Sequence, residues 1–524
     1  MQTSLTSRVQ SGVIWNAISV SSTYLAGLVR LIVVARLLAP ADFGLIGMAL
    51  TVVTGLNALT TIGVEISVIK AKFKSDEELF THLDTLWTVD LIRRVLLAIL
   101  LAVLAYPASR FYREDRLYQI LILFSLLPFI QGFQNIGLLI YRKMIDFRRI
   151  VWLELATNFL TAATTIALVV WTRNVWALVL SQLVSALIGV VLSYVFHPYR
   201  PHPRIDKGAL KLVLGFGKYA FMLGVLGYVM MMADNILLGK LYSAAVLGTY
   251  VIAYNLAVLP LHGIATVIVS VTFPAYAEIS GGNSVVNKGL SGTGRQFTPD
   301  PSLLSGGKEN QRLERAFVRV FATSSTLLAL TTALLLLLGE EIVVFLYGTK
   351  WAAAGTILRI LALLVFCKGH ATLVSPLVVS MRGIAPDAKI KMFEAAIFLA
   401  LLYPLTSRYG AVGAAASGAI AFFIMMINRL RVASSLLPNI SKTLIATILS
   451  SVVACALGIV LGALAILTVE SVLGRLLLGA SVIAIVVTGV MLILSAHLRA
   501  ELSRLFFSLN ARFPAGGGKR TFPT

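Results

Sequence analysis

The chain has 524 residues, of which 58% are hydrophobic and 13% charged, and its mean hydropathy is +0.89. A soluble domain needs a polar surface, so this composition excludes a soluble globular protein. The formal net charge is +21, and because cytoplasmic loops of membrane proteins collect Lys and Arg, this excess indicates membrane orientation rather than nucleic-acid binding. Cys367 and Cys455 are too few for a disulfide framework or a zinc site, and we expect no cofactor or metal.

Long apolar runs predict transmembrane helices, because about 20 apolar residues cross roughly 30 Å of hydrocarbon. We therefore predict an all-α membrane protein with about fourteen transmembrane helices. Residues 1–12 are polar and lead directly into the first run, so we expect a retained helix rather than a cleaved signal peptide. In chain order the predicted spans are 13–36, 43–68, 85–107, 117–140, 149–171, 175–197, 214–238, 246–272, 315–338, 355–380, 390–406, 410–428, 442–468 and 472–496.

The loops between these spans differ in charge on the two sides of the membrane. With a cytoplasmic N-terminus, most basic residues fall in cytoplasmic loops, and this distribution predicts a multi-pass protein of the bacterial inner membrane with both termini in the cytoplasm. The basic residues on that side include Lys70, Lys72, Lys74, Arg142, Lys143, Arg148, Arg149, Arg200, Arg204, Lys207, Arg382, Lys389, Lys391, Arg429, Arg431 and Lys442.

Two stretches are predicted to lie outside the membrane. Residues 278–315 are rich in Gly and Ser and predict a flexible cytoplasmic linker between two halves of the protein. In the tail at 498–524, Leu and Phe recur along one helical face at 498–513 while Arg occupies other positions. This spacing predicts an amphipathic helix at the membrane surface.

An internal repeat relates the two halves. Ala35–Gly44 matches Gly239–Gly248 at an offset of 204, with a basic residue and a glycine at the same places. Both runs join an odd-numbered helix to the next through a short loop. In addition, Gln131 with Gly132 matches Lys368 with Gly369, and Glu154 matches Glu394.

Six predicted helices separate the members of each matched pair, so the halves share one orientation and are related by an axis along the membrane normal. Parallel repeats of this kind are typical of transporters, with the binding site between the halves. We therefore predict an N-terminal lobe at 1–200 and a C-terminal lobe at 201–435, each of six helices. Two further helices at 436–497 precede the tail at 498–524.

Five charged residues lie within predicted helices and form the candidate substrate-binding or gating set: Arg30, Arg93, Arg94, Asp234 and Lys368. A charge near the bilayer centre costs at least about 2.5 kcal/mol on insertion scales, so it usually faces a cavity or a partner. Four of the five are cations. Such a set favours an anionic group, and the planar fork of Arg fits phosphate or diphosphate.

Each of these charges also has a structural interpretation that stays open. Arg93 and Arg94 have stems long enough to reach the cytoplasmic interface. Arg30 and Asp234 occupy equivalent places in the two lobes and would form an ion pair between them, whereas Lys368 lies too deep to reach the interface. Other polar residues within helices are interpreted as anchoring or interhelical hydrogen-bonding groups: Glu65, Glu154, Glu394, His262, Asn57, Asn158 and Asn255.

Four short blocks resemble a known transporter family: Ala35–Gly44, Ala233–Gly239, Val271–Tyr276 and Gly348–Trp351. Their order and the helix count resemble the polysaccharide transporter branch of the multidrug/oligosaccharidyl-lipid/polysaccharide exporter superfamily. That branch includes the Wzx-type flippases, and the match extends from about residue 11 to 435.

The resemblance implies a lipid-linked oligosaccharide, carried on undecaprenyl diphosphate, as the substrate in exopolysaccharide or lipopolysaccharide assembly. It also implies alternating access between the two lobes, with a polysaccharide polymerase and export machinery as partners. Related lipid II flippases carry an Arg-Asp pair in helix 1. Here Arg30 matches the arginine but Leu31 replaces the acid, which argues against lipid II as the substrate.

Other functions fit the sequence less well. A cation-coupled drug exporter of the same superfamily needs acidic groups in its cavity, whereas the deep charges here are mostly basic. A membrane polymerase or glycosyltransferase needs a large outer loop with catalytic residues, and the longest predicted outer segments, 107–116 and 339–354, are short. No GxxxxGK[ST] run is present, which excludes this form of ATP hydrolysis. We therefore expect a transporter and not an enzyme.

Overall fold

The computed structural model of the protein describes residues 22–60, 73, 75–144, 147–279, 307–382 and 384–494. Within these ranges the chain is almost entirely helical and contains no strand. The helices are α1 (22–37), α2 (Pro40–Leu59), α3 (Asp76–Tyr112), α4 (Arg116–Phe124), α5 (Leu126–Gly132), α6 (Leu138–Lys143), α7 (Phe147–Thr172), α8 (Val175–Phe196), α9 (Lys207–Leu241), α10 (Ala244–Ile279), α11 (Gly307–Tyr347), α12 (Ala352–Arg382), α13 (Ile384–Leu436), α14 (Ser441–Ile466) and α15 (Val472–Leu494).

Ten helices in the described part of the chain are long and apolar enough to cross a membrane. Large apolar side chains cover their outer surfaces; Phe159 is 72% exposed and Trp171 84% exposed. Such a surface is stable only against lipid tails, so the predicted all-α, multi-pass membrane protein is confirmed. The predicted count of about fourteen transmembrane helices is higher than ten. Two helices are absent from the ten, because α3 carries several charges and because the described part of α1 is short.

The predicted span 117–140 is wrong as a single helix, because the structure divides it into α4, α5 and α6. Pro128 stands in the first turn of α5, where a missing backbone N–H is tolerated, and this favours a new helix start after Ser125. Asn135 causes the second break. Its side-chain amide donates to the carbonyls of His197 (3.1 Å) and Tyr199 (2.7 Å), which fixes the chain after α5 against the end of α8.

The predicted spans 390–406 and 410–428 both lie in α13, which is interrupted at Gly410. Gly410 has φ +60° and ψ −136°, a conformation that favours glycine, and the chain folds back there. A Cβ on Gly413 would lie 1.9 Å from the carbonyl oxygen of Leu405. The Tyr242 hydroxyl, at the end of α9, donates to the carbonyl of Thr406 (3.0 Å) and so attaches this bend to the preceding helices.

The predicted linker is shorter than expected, because α10 continues to Ile279 and α11 begins at Gly307. Residues 280–306 lie outside the described residues, as do Glu65 and the tail with its predicted amphipathic helix. The last two helices pack on α11. Ile483 and Val487 of α15 are fully buried in an apolar cluster with Ala329 of α11.

The helices α2 and α10 cross very closely at two glycines. A Cβ on Gly44 would lie 1.7 Å from the carbonyl oxygen of Ala244, and one on Gly248 would lie 1.8 Å from that of Pro40. These contacts are reciprocal, because Pro40 and Ala244, like Gly44 and Gly248, are separated by the repeat offset of 204. The two matching sequence runs therefore pack against each other about a local two-fold relationship.

A second pair of glycines repeats a packing contact within each half. A Cβ on Gly132 of α5 would lie 2.8 Å from the Leu91 side chain of α3, and one on Gly369 of α12 would lie 2.5 Å from the Leu328 side chain of α11. Both the glycines and the leucines differ by 237 positions. The same helix contact therefore occurs twice, once in each half of the chain.

Candidate functional site

Asp234, one of the five predicted site residues, is buried on α9 and bonded to α10. The Tyr250 hydroxyl donates to Asp234 Oδ2 (2.5 Å), and the backbone N–H of Asn235 donates to Oδ1 (2.8 Å). Asp234 is 7% exposed and Tyr250 is 2% exposed. A buried carboxylate without a hydrogen bond would be very costly, so the tyrosine stabilises Asp234 in this position.

Lys368 lies at the other end of the same group of side chains. Tyr254, one turn after Tyr250, stacks on it with ring centroids 6.0 Å apart, and Lys368 Nζ of α12 lies 3.4 Å from the Tyr254 hydroxyl. Nζ also lies 5.2 Å from the ring centroid of Phe422 on α13, within the range of a cation–π contact. The group Asp234–Tyr250–Tyr254–Lys368, hereafter the C-half polar chain, therefore links α9, α10 and α12.

Arg93 and Arg94 belong to a separate group on α3 that includes Asp90. The Asp90 carboxylate pairs with Arg93 (2.7 Å) and with Arg94 (2.6 Å). Arg93 Nη1 also donates to the hydroxyl of Thr60 (3.1 Å), which caps the end of α2, and Arg94 Nη1 donates to Gln131 Oε1 of α5 (2.9 Å). Side chains of neighbouring helices thus hold both guanidinium groups, and one carboxylate serves two cations.

A cavity of about 320 Å³ lies beside this group, between α2, α5 and α8. Its lining contains no charged residue. Most of its polar lining is amide: Asn57, Gln131, Gln134 and Gln182, with the Ser185 hydroxyl. Gln131 connects the cavity to the cations, because its carbonyl oxygen accepts the hydrogen bond from Arg94.

Arg30 is half-buried on α1, and within the described parts of the chain it makes no ion pair. The predicted Arg30–Asp234 ion pair is wrong for this structure, because Asp234 is bonded to Tyr250 instead. The structure therefore brings Asp234 and Lys368 into one group and Arg93 and Arg94 into another, with Arg30 in neither.

A buried ion-pair network that the sequence did not predict joins the two limbs of α13. Arg429, 4% exposed, binds both oxygens of Glu394 (2.5 and 3.0 Å) and one oxygen of Asp387 (3.1 Å). Lys391 pairs with the other oxygen of Asp387 (2.9 Å), and Ser375 of α12 donates to the same carboxylate. Glu394 thus has the anchoring role expected for it, because its ion pair with Arg429 joins the two limbs of α13.

The turn between α1 and α2 is held by the turn between α11 and α12. Lys350 Nζ donates to the carbonyls of Arg36 (2.9 Å) and Leu38 (2.7 Å), and the Trp351 indole N–H donates to the carbonyl of Ala35 (2.8 Å). Trp351 is fully buried and meets the Phe43 ring edge to face at 5.2 Å. These bonds join parts of the chain about 310 residues apart and close this end of the bundle.

Two basic side chains strengthen the closed end in reciprocal fashion. Arg36, in the last turn of α1, donates to the carbonyls of Phe345 (2.5 Å) and Leu346 (2.8 Å) at the end of α11. Lys240, at the repeat-equivalent place in the last turn of α9, donates to the carbonyl of Phe111 (2.7 Å) at the end of α3. Cations are favourable there because the last carbonyls of a helix lack helical partners. We call the two contacts the reciprocal latches.

Sequence reasoning missed several residues of these groups. Asp90 precedes Arg93 and Arg94 by three and four positions, a spacing that places the three side chains on one helix face and that predicts the ion pairs. Tyr250 and Tyr254 are also four apart on one face, but nothing in the sequence shows that they approach Asp234. Among the described residues no cluster of three His, Cys, Asp or Glu is placed to hold a metal ion.

Comparisons with known proteins agree with this architecture. Residues 33–292 match the family described as polysaccharide biosynthesis protein. The succinoglycan biosynthesis transport protein ExoT of Rhizobium meliloti is 23% identical over 402 residues, 76% of this chain and 73% of the relative. The lipopolysaccharide biosynthesis protein WzxC of Escherichia coli is 23% identical over 420 residues, 78% of this chain and 77% of the relative.

Among solved structures, the lipid II flippase MurJ in an inward closed conformation matches with a TM-score of 0.69. The match covers 94% of this chain and 99% of MurJ at 14% identity, which shows a shared fold. The resemblance seen in the sequence is thus confirmed: the chain is similar to polysaccharide biosynthesis proteins such as ExoT and WzxC over most of its length, and it shares its fold with MurJ.

Proposed function

We propose that the protein is a flippase that moves an undecaprenyl-diphosphate-linked oligosaccharide across the bacterial inner membrane for exopolysaccharide or lipopolysaccharide assembly. The relatives with polysaccharide biosynthesis names support the substrate class. The observation that carries the proposal is the group of cations on α3. Arg93 and Arg94 share the single carboxylate of Asp90, so this group keeps an excess positive charge, which favours a diphosphate.

The proposed mechanism is alternating access between two six-helix lobes, 1–200 and 201–435, with helices at 436–497 outside the repeat. The reciprocal glycine contacts of α2 and α10 support a two-fold relationship between the lobes. With both termini in the cytoplasm, the turn after α1 lies on the periplasmic side, so the reciprocal latches would close that side. In this state the substrate would enter from the cytoplasmic leaflet.

One observation favours a second candidate, a cation-coupled exporter of the same superfamily. Asp234 is a buried carboxylate with a hydroxyl partner, and such a group can bind or release a cation during transport. We rank this candidate second because Lys368 lies within the same polar chain and disfavours a further cation there.

The two candidates are separated by deletion of the gene and chemical analysis of the lipid-linked pools in the host bacterium. A flippase deletion should accumulate an undecaprenyl-diphosphate-linked oligosaccharide on the cytoplasmic leaflet, and complementation with the intact gene should clear it. Sidedness is measured by the access of an impermeant glycosidase or lectin to right-side-out and inverted vesicles.

Complementation with Lys368→Arg, which retains the cation, serves as a control for Lys368→Ala. Unchanged lipid-linked pools together with reduced dye efflux would overturn the flippase proposal in favour of the exporter. Normal pools and full surface polysaccharide with Lys368→Ala and Arg30→Ala, both normally expressed, would exclude the proposed role of the cations.

A further inference from the structure

The amide-lined cavity between α2, α5 and α8 has a chemistry that the charged groups do not share. Its volume of about 320 Å³ lies at the lower end of the ~300–1,000 Å³ range of small-molecule sites. Amide and hydroxyl groups share the lining with apolar side chains, among them Leu50, Val53, Leu127 and Pro128. A pyranose ring has the matching pattern, with apolar C–H faces and a rim of hydroxyl groups.

The three glutamine amides of this cavity have polar atoms available to a ligand. Within the described residues, the side chains of Gln134 and Gln182 make no hydrogen bond. The Gln131 oxygen accepts from Arg94, but its NH2 group has no partner in the same ranges. Each amide offers two donors and an acceptor, which is the capacity that sugar hydroxyls require. Gln131 and Gln182 are only partly exposed, and in a membrane-spanning bundle their unpartnered polar atoms need water or a ligand.

No charged residue lines the cavity, so its chemistry favours neutral groups. A diphosphate would be drawn instead to the adjacent cations, Arg93 and Arg94, which are joined to the cavity through Gln131. A molecule with a neutral sugar next to a diphosphate therefore matches the order of groups along this side of the bundle.

We propose that the cavity formed by Asn57, Gln131, Gln134, Gln182 and Ser185 binds one uncharged sugar ring of the transported lipid-linked oligosaccharide. This inference rests on the proposed flippase function and adds a sugar-reading site in the N-terminal half. Binding at the cations recognises the carrier lipid, whereas binding at the amides recognises the glycan.

The test uses the purified full-length protein and two lipids, undecaprenyl diphosphate and undecaprenyl diphosphate bearing one neutral hexose. Affinities are measured by native mass spectrometry for the wild type, Gln182→Leu and Gln134→Leu. Ser181→Ala is the matched control, because its hydroxyl is buried and bonded within α8 to the Leu178 carbonyl and does not line the cavity.

We expect the wild type to bind the hexose-bearing lipid more tightly than the sugar-free lipid. Each Gln variant should weaken binding of the hexose-bearing lipid roughly tenfold, because sugar hydroxyls lose partners. Binding of the sugar-free lipid should stay unchanged, which also shows that the variant is folded. Ser181→Ala should behave as the wild type does.

Equal affinity of the wild type for both lipids would overturn the sugar site while leaving the flippase proposal intact. A preference for the hexose-bearing lipid that survives in both Gln variants would also overturn it, since the sugar would then bind elsewhere. Failure of the wild type to bind either lipid would count against the proposed function itself, and the sugar site would fall with it.

Discussion

The two halves of the molecule share a packing scheme but differ in their polar chemistry. Gly132 on Leu91 and Gly369 on Leu328 are the same contact in different halves. At the positions preceding these glycines, however, one half has Gln131 beside an uncharged cavity and the other has Lys368 between aromatic rings. Glycines thus set how closely the helices approach each other in both halves. The polar side chains at the preceding positions differ between the halves.

The largest expected effect concerns the glycine contacts between α2 and α10. Gly44→Ala and Gly248→Ala should each destabilise the fold by on the order of 3 kcal/mol or more, because each Cβ would meet a backbone oxygen that cannot move independently. The measurement is thermal unfolding of purified protein by fluorescence-detected size exclusion. Gly227→Ala is the control, since nothing lies within 4 Å of its Cβ position. Normal stability of either variant would contradict the reciprocal crossing.

The next prediction contrasts two repeat-equivalent acids. Glu394→Gln should cost about 3–5 kcal/mol, because Arg429 would lose its bidentate partner inside the protein. Glu154→Gln should reduce the stability of the protein by less than about 1 kcal/mol, because Glu154 is only partly buried. Chemical denaturation in detergent compares the pair. Equal losses of stability in the two variants would show that Glu394 and Glu154 contribute equally and would contradict this prediction.

A third prediction exchanges the polar chemistry of the halves. Lys368→Gln gives the C-half the residue found at the equivalent N-half position and should reduce transport roughly tenfold, because the cation proposed to bind the diphosphate is lost. Lys368→Arg should retain most of the activity. Surface polysaccharide and accumulated lipid-linked oligosaccharide are quantified in the deletion strain. If Lys368→Gln transports normally, the difference between the halves at this position has no functional meaning.

The smallest expected effect concerns the reciprocal latches. Arg36→Gln and Lys240→Gln should each weaken closure by about 1–2 kcal/mol, the scale of a charge-assisted hydrogen bond. The measurement is thiol labelling of Leu38→Cys, at a position that is 1% exposed beneath the latches. Labelling should rise severalfold in either variant, and by more in the double variant. An increase with Arg36→Gln alone would show that the two latches are unequal.

The fold was largely predictable from sequence because hydrophobic runs and repeat glycines are local signals. The pairing of Ala35–Gly44 with Gly239–Gly248 predicted a repeat, and the structure gives that match a physical reason in close packing. The broken segment at 117–140 was not predictable from hydropathy, since its breaks depend on Pro128 within an apolar run and on Asn135 bonding residues more than 60 positions away.

The candidate site was predictable only in part. The deep charges Arg93, Arg94, Asp234 and Lys368 stand out in an apolar sequence, and the structure gives each of them a polar partner. Their grouping was missed because it depends on which helices meet. The amides Gln134 and Gln182 carry no charge and gave no signal in the sequence, although both line a cavity of about 320 Å³.

The reciprocal latches also bear on how this sequence can vary. Both Arg36 and Lys240 bond to main-chain oxygens, at Phe345, Leu346 and Phe111. An acceptor of this kind survives almost any replacement of its own side chain, whereas the donors depend wholly on theirs. At each latch, substitution is therefore tolerated at the accepting residue but not at the donating residue. Substitutions at Phe345, Leu346 or Phe111 should preserve these hydrogen bonds, whereas substitutions of Arg36 or Lys240 should remove them.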